Sequence, residues 1–288
     1  MHYYSLNKYL RDTFGDKVYK LSLNAGFTCP NRDGKLGTKG CIFCSAGGSG
    51  DFAESSSLSI TQQIERGKER VAKKIKSGKY IAYFQAYTNT YAPVEILKSK
   101  YMEAVNHKDI VALSVATRPD CLGDDVLKLL DEINKIKPVF VELGLQTIHE
   151  RTARYIRRGY TLDVYDKAVS DLKKIGVNTV VHLILGLPGE TKQDMLDSVK
   201  YVCESGIDGI KLQLLHVLKN TDLEKDYAQG KFKTLEMDEY LDILKSCVDI
   251  IPDNIVIHRL TGDGAKKDLI SPLWSADKKK VLNAINKL

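Results

Sequence analysis

The clearest regularity along the 288-residue chain is a short apolar, β-branched run followed by apolar positions at helical spacing. Six such runs stand out, at residues 20–25 (KLSLNA), 80–87 (YIAYFQAY), 110–116 (IVALSVA), 139–146 (VFVELGLQ), 177–185 (VNTVVHLIL) and 209–215 (GIKLQLL). Between them, residues 59–77 place Ile60, Ile64, Val71 and Ile75 at helical spacing. Pro93 suits the first turn of a helix through VEILKSKYMEAV, because its φ is already set for one. Asp124 is expected to cap a helix over 124–136, and Thr161 and Thr191 open helices over 161–175 and 191–205. Strands that are apolar on both faces and alternate with amphipathic helices predict a parallel sheet clad by helices.

Six βα units predict an α/β fold, a partial (β/α)6 TIM-like barrel, since eight would close the full one. Residues 1–19 form an N-terminal extension, 20–230 the barrel, and 231–288 a small C-terminal α/β extension packed on it. Tail helices are expected at 222–229, 236–251 and 277–286, with a short strand near 255–258. In such folds chemistry belongs at the C-terminal ends of the strands. Polar signals fall there: Cys29, residues 87–90 and 117–120, Gln146, residues 186–190 and His216.

The first strand runs into a Gly-rich loop, FTCPNRDGKLGTKGCIFCSAGGSG. Cys41 and Cys44 form a C-x-x-C that can turn two thiolates onto one centre, and Gly34, Gly37 and Gly40 let Cys29 fold back to join them. A structural zinc site wants four ligands, and no fourth Cys or His lies nearby in sequence. A redox dithiol would leave Cys29 idle. Three cysteines after the first strand of a parallel barrel best suit a [4Fe–4S] cluster with one iron free of protein ligand. Of the other three cysteines, Cys203 and Cys247 lie in helical patterns and read as small buried hydrophobes, while Cys121 follows TRPD and should face the mouth.

Composition adds boundaries. Lys+Arg number 43 against 37 Asp+Glu, a net charge of +6 that permits a polyanionic partner without requiring one. No run approaches the roughly 18 apolar residues of a membrane-spanning helix, and MHYYSLNKYLRDTFG has no apolar core of a secretory signal. The expectation is a cytoplasmic protein with reduced cysteines and no membrane partner.

These residues resemble the radical S-adenosylmethionine superfamily. The usual C-x3-C-x2-C is stretched here to C-x11-C-x2-C, which is similar to the branch holding the Elongator catalytic subunit and the short bacterial YhcC- and YtqA-like proteins. GFTCPNRDG…GCIFC, YFQAYTNTYAP, ATRPDC, VELGLQT, RRGYT, LGLPGE and KLQLLHVLKNTDL carry the resemblance in order along nearly the whole chain. The resemblance implies that Cys29, Cys41 and Cys44 ligate the cluster. It implies that the open iron takes S-adenosylmethionine, whose reductive cleavage yields a 5′-deoxyadenosyl radical. It places Phe43 by the adenine and Gln85, Tyr87, Thr88 and Asn89 where relatives carry a Gly-Gly-Glu motif. Thr117 begins the TRPD, with Ala116 where many relatives have Glu. Gln146 faces the ribose hydroxyls, Arg158 the methionine carboxylate, and Leu187 sits in the turn along the adenine. His182 points inward on the fifth strand. Cys121 and Tyr87 are the candidates to quench a product radical.

For substrate, basic residues gather in segments near the expected mouth: Arg32, Lys35, Lys39, Arg118, Arg157, Arg158, Lys211 and Lys219. Fifteen Tyr against seven Phe offer stacking surfaces for unpaired bases. The resemblance implies a tRNA partner, with conversion of a carboxymethylaminomethyl group on wobble uridine to aminomethyl, and an electron donor such as flavodoxin or ferredoxin. A radical enzyme acting on a small metabolite, and a non-enzymatic RNA-binding protein with a structural metal site, are the alternatives.

Overall fold

The computed structural model describes residues 3–48, 50, 51, 53–74, 77–262, 264 and 266–288. In chain order the elements are α1 (Leu6–Phe14), β1 (Tyr19–Leu23), α2 (Ile60–Val71), β2 (Tyr80–Phe84), α3 (Val94–Val105), β3 (Ile110–Thr117), α4 (Asp124–Asn134), β4 (Val139–Gln146), α5 (Glu150–Tyr155) and α6 (Leu162–Lys174). They continue with β5 (Asn178–Leu185), α7 (Lys192–Glu204), β6 (Gly209–Leu214), β7 (Val217–Leu218), α8 (Asp222–Ala228), α9 (Met237–Asp249), β8 (Val256–Arg259), β9 (Leu269–Ser271) and α10 (Lys278–Ile285). The six expected strands form within one or two residues of their predicted ends, except that β2 stops three residues early at Phe84. Ile75, expected on the face of α2, lies outside the described residues.

The sheet has seven strands rather than six, in the order β1-β2-β3-β4-β5-β6-β8, every neighbouring pair parallel. The run near 255–258 does not stand apart as a tail strand. It pairs with β6 and extends the curled half-barrel by one position. The expectations did not include α1 or the β7–β9 pairing. α1 is polar overall, but Ser5 caps it by accepting from the Lys8 amide, and Leu6, Leu10 and Phe14 recur every four residues. β7 and β9 form a separate two-stranded antiparallel ribbon. The cap of α4 is Gly123, with Asp124 and Asp125 in the first turn, where the helix dipole favours acids.

Strand alternation sorts the residues into two sides. Outward positions such as Leu21, Leu23, Phe84, Leu113, Val141, Leu143, Val181, Leu183, Ile210 and Leu212 are buried beneath the helices in one apolar cluster. Inward positions divide by depth. At the N-terminal end of the strands, Val18, Ile81, Ala112, Phe140 and Val180 pack with Leu10 of α1, which seals that end. One layer higher the interior turns polar. Among the described residues, no helix is long and apolar enough to cross a membrane.

Candidate active site

The loop after β1 folds back over the strand ends as a backbone-bonded basket. The amides of Arg32 and Asp33 donate to the Cys29 carbonyl at 2.8 and 3.2 Å, and Gly40 N donates to Asn31 O at 2.8 Å. Gly40 has φ +74°, and a Cβ there would lie 2.9 Å from Arg32 Nε, so glycine is what admits the arginine. Arg32 then donates to the carbonyls of Ser45 (2.6 Å) and Cys44 (3.1 Å). Asn31 Nδ2 donates to Arg157 O at 2.7 Å and approaches Cys41 Sγ at 3.4 Å. This folding puts Cys29, Cys41 and Cys44 on the wall of one cavity of about 250 Å³ at the C-terminal ends of the strands.

Burial, and then the neighbouring Cys44 charge, push the Cys41 thiol up to about 11. Burial also raises Cys44, against the pull of Arg32. Thiols so placed ionise only with a cationic centre to hold them, which suits metal ligation. Their spread suits a cluster. Among the described residues, the triad of possible ligand atoms within 4.8 Å of one another is Glu65, His107 and Asp109, far from this loop and bridged by Lys68. The three cysteine sulfurs do not converge that closely, as tetrahedral bonds of about 2.3 Å to a single zinc would require. A polynuclear centre accommodates them.

The cavity is also lined by Phe43, Gln85, Tyr87, Thr88, Thr117, Gln146, Arg158 and His182. Tyr87 sits at φ 59°, donates from its hydroxyl to Ala46 O at 2.5 Å, and lays its ring where a Cβ on Gly48 would be 2.3 Å away. Arg32 lies 5.7 Å from that ring's centre. Gln146 sits at φ 72°, and its buried Oε1 has no hydrogen-bond partner. An orphaned acceptor on a cavity wall fits a ligand hydroxyl, as the ribose of S-adenosylmethionine would offer.

Three expected residues lie off the cavity. Asn89 is buried with its amide donating to Phe84 O (3.1 Å) and Ala116 O (3.0 Å), tying β2 to β3. Cys121 ends a 3-10 turn, Pro119–Cys121, its carbonyl accepting from Thr90 Oγ1 at 2.6 Å and its thiol pushed up to about 12 by burial and Asp120. Leu187 packs among Ile42, Ile156, Ile184 and Leu215. Arg158 lines the cavity with its donors already engaged: Nε to Tyr160 O (3.0 Å), Nη1 to Thr147 O (2.7 Å) and Nη2 to Glu150 (2.7 Å). Of the basic residues expected around the mouth, Arg118, Arg158 and Lys211 are buried, and Lys35, Lys39 and Lys219 are exposed.

Sequence reasoning named His182 and Lys211 but passed over Lys20 and Glu142, and with them the polar layer that the four build. Glu142 of β4, fully buried, accepts from Lys20 (2.5 Å) and Ser114 (2.8 Å) on Oε1, and from His182 (2.8 Å) and Lys211 on Oε2. Lys211 also reaches Tyr83 Oη at 3.3 Å. Burial works to raise the Glu142 carboxyl, but the Lys20 and Lys211 charges and the His182 bond hold it well below its usual range. Burial, helped by Lys211, pulls His182 down to about 4, so the ring is neutral near pH 7 and donates from Nε2. Burial likewise lowers Lys211 to about 7, against Glu142. Lys20, Glu142, His182 and Lys211 stand at alternate, inward positions of their strands, and that period of two is the signal that could have added Lys20 and Glu142 to the two already named.

A half-barrel with three cysteines on the loop after its first strand defines the class, and the comparisons agree. Residues 28–202 match the Radical SAM superfamily, and residues 207–288 match the Radical_SAM C-terminal domain. The chain belongs to the radical SAM superfamily and is an enzyme that uses a [4Fe–4S] cluster with S-adenosylmethionine. It is 47% identical over 285 residues to the uncharacterized protein YtqA of Bacillus subtilis, spanning 99% of this chain and 88% of YtqA. It is 29% identical over 167 residues to the tRNA uridine(34) acetyltransferase of Methanocaldococcus jannaschii, covering 57% of this chain and 30% of that protein. The archaeal Methanocaldococcus infernus Elp3 structure with an N-terminal deletion shares the fold, with TM-score 0.68 and 18% identity over 91% of this chain and 63% of that one.

Proposed function

We propose that this enzyme modifies tRNA at the wobble uridine, converting a C5 carboxymethylaminomethyl group to aminomethyl. The observation that carries the reading is the cavity itself, in which the three-cysteine loop and a polar barrel interior share one wall. The related tRNA uridine(34) acetyltransferase supports the choice of nucleoside.

Cys29, Cys41 and Cys44 would hold the cluster, and with S-adenosylmethionine it would supply a 5′-deoxyadenosyl radical that takes a hydrogen atom from the side-arm carbon between the amine nitrogen and the carboxylate. Return of a second electron from that carbon to the cluster and hydrolysis of the resulting imine by water would break the C–N bond, leaving the aminomethyl group and releasing the carboxymethyl carbons as glyoxylate. The chain's own residues do the rest. Gln146 Oε1 accepts from a ribose hydroxyl. Phe43 offers an apolar face beside the adenine. The β2 end at Gln85 and Thr88 presents polar groups to the methionine part. Arg158 fixes the Thr147 and Tyr160 carbonyls, and so sets the shape of the β4 exit. Tyr87, pinned to Ala46 and flanked by Arg32, forms the loop side of the cavity wall. A reduced flavodoxin or ferredoxin would be the electron donor.

The test compares wobble nucleosides by mass spectrometry in cells with the gene, without it, and with the gene restored as Cys44→Ala. Carboxymethylaminomethyluridine should accumulate without the gene and stay high with C44A. An unchanged wobble profile, with purified enzyme still forming 5′-deoxyadenosine, would replace tRNA by a small metabolite as substrate.

A further inference from the structure

The polar layer has a charge imbalance that the cluster chemistry does not use. Four donors from four strands already fill the acceptor positions of Glu142, so that carboxylate can take no further cation. Two lysines share it, while His182 is held neutral. With two lysines on one carboxylate, the positive charge of the layer is not fully offset inside a low-dielectric barrel, and burial accordingly lowers Lys211 to about 7. Such an excess is costly unless an anion completes it.

The direction from which an anion can arrive is defined. Below, the layer is sealed by Ile81, Ala112, Phe140, Val180 and Leu10. Above, Lys211, Glu142, Tyr83 and Gln213 form part of the same cavity wall as the cysteines. Glu142 lies four residues before the β4 exit at Gln146, a depth of roughly 13 Å at the rise of a strand. A phosphate of a polynucleotide backbone cannot descend that far, but a narrow side arm ending in a monoanion can. Lys211 uses two of its three ammonium protons on Glu142 and Tyr83, and Gln213 stands two residues along the same inward face.

We propose that this floor is a carboxylate-binding subsite, in which Lys211, held by Glu142, receives the carboxylate at the end of the substrate's side arm. The inference rests on the wobble-uridine reading and deepens it. The group to be removed carries the one negative charge of the modified arm, and the floor supplies the complementary charge. Lys211 contacts the substrate, while Glu142 and His182 act through it as positioning residues.

The test measures binding by calorimetry of two free nucleosides, 5-carboxymethylaminomethyluridine and its methyl ester, to the cluster-loaded enzyme with S-adenosylmethionine. The wild type should bind the acid at least tenfold more tightly than the ester. Lys211→Met should erase that preference, and Lys211→Arg should retain most of it. Equal affinity for acid and ester, or no binding of the acid, overturns the subsite. That comparison needs only the wild type, so it stands even if K211M fails to fold. Turnover of wobble-modified tRNA is scored separately. Turnover without acid selectivity removes the subsite and leaves the proposed function standing. Acid selectivity without turnover removes the function and leaves a carboxylate site.

Discussion

Glu142 shows how one buried side chain can organise an interior. Its four donors come from β1, β3, β5 and β6, so the carboxylate links strands that are far apart in sequence. Glu142→Gln keeps the shape but leaves Lys20 and Lys211 without a countercharge. Removing one member of a buried ion pair costs about 3–5 kcal/mol, so urea unfolding of E142Q should show a loss of that size. A loss below about 1 kcal/mol would mean that the lysines reach solvent instead. At this scale the sequence was legible unevenly. Cys29, Cys41 and Cys44 declare themselves by spacing, because a loop with three thiols has few other uses. Asn89, Cys121 and Leu187 do not, because they follow the ends of strands, where alternation no longer predicts direction. Tyr87 and Gln146 both adopt positive φ at those ends, which turns the chain in a way no apolar pattern records.

Elements were more legible than residues. β4 and β5 are read from their apolar runs because both faces are buried, and α7 from a Thr that begins a capping box. Thr191 Oγ1 accepts from the Asp194 amide at 3.2 Å, and the Asp194 carboxylate accepts from Thr191 N at 2.7 Å. Thr191→Ala should lower stability by about 1 kcal/mol, seen in calorimetry as a fall of roughly 2 °C in Tm. The same cap follows directly on residues 186–190, so a variant with unchanged Tm would show that the turn holds the helix start without it. α1 and the β7–β9 ribbon escaped notice for a physical reason. α1 buries one residue, Leu10, and the ribbon strands are two and three residues long, too short for any period to register.

For the whole molecule, pattern alone left the strand count of the main sheet one short. β8 is four residues and follows β6 only after the β7 strand and two helices, so its place in the sheet depends on tertiary pairing. The base of the barrel depends likewise on α1. Leu10, 3% exposed, meets Ile81, Ala112, Phe140 and Val180 there. Leu10→Ala should cost about 2–5 kcal/mol, read as a lower urea midpoint at unchanged slope. A markedly smaller loss would place the seal elsewhere. The same end of the chain is tied down by Ser5, which bridges to Ile257, with Ile257 N donating to Tyr4 O at 2.8 Å. During synthesis Ser5 leaves the ribosome roughly 250 residues ahead of its partner, a wait of roughly 13–50 s at about 5–20 residues per second. Leu10 has all its partners by residue 180, so the base can be sealed early, while the tie of Ser5 to Ile257 must wait until the seventh strand of the sheet emerges.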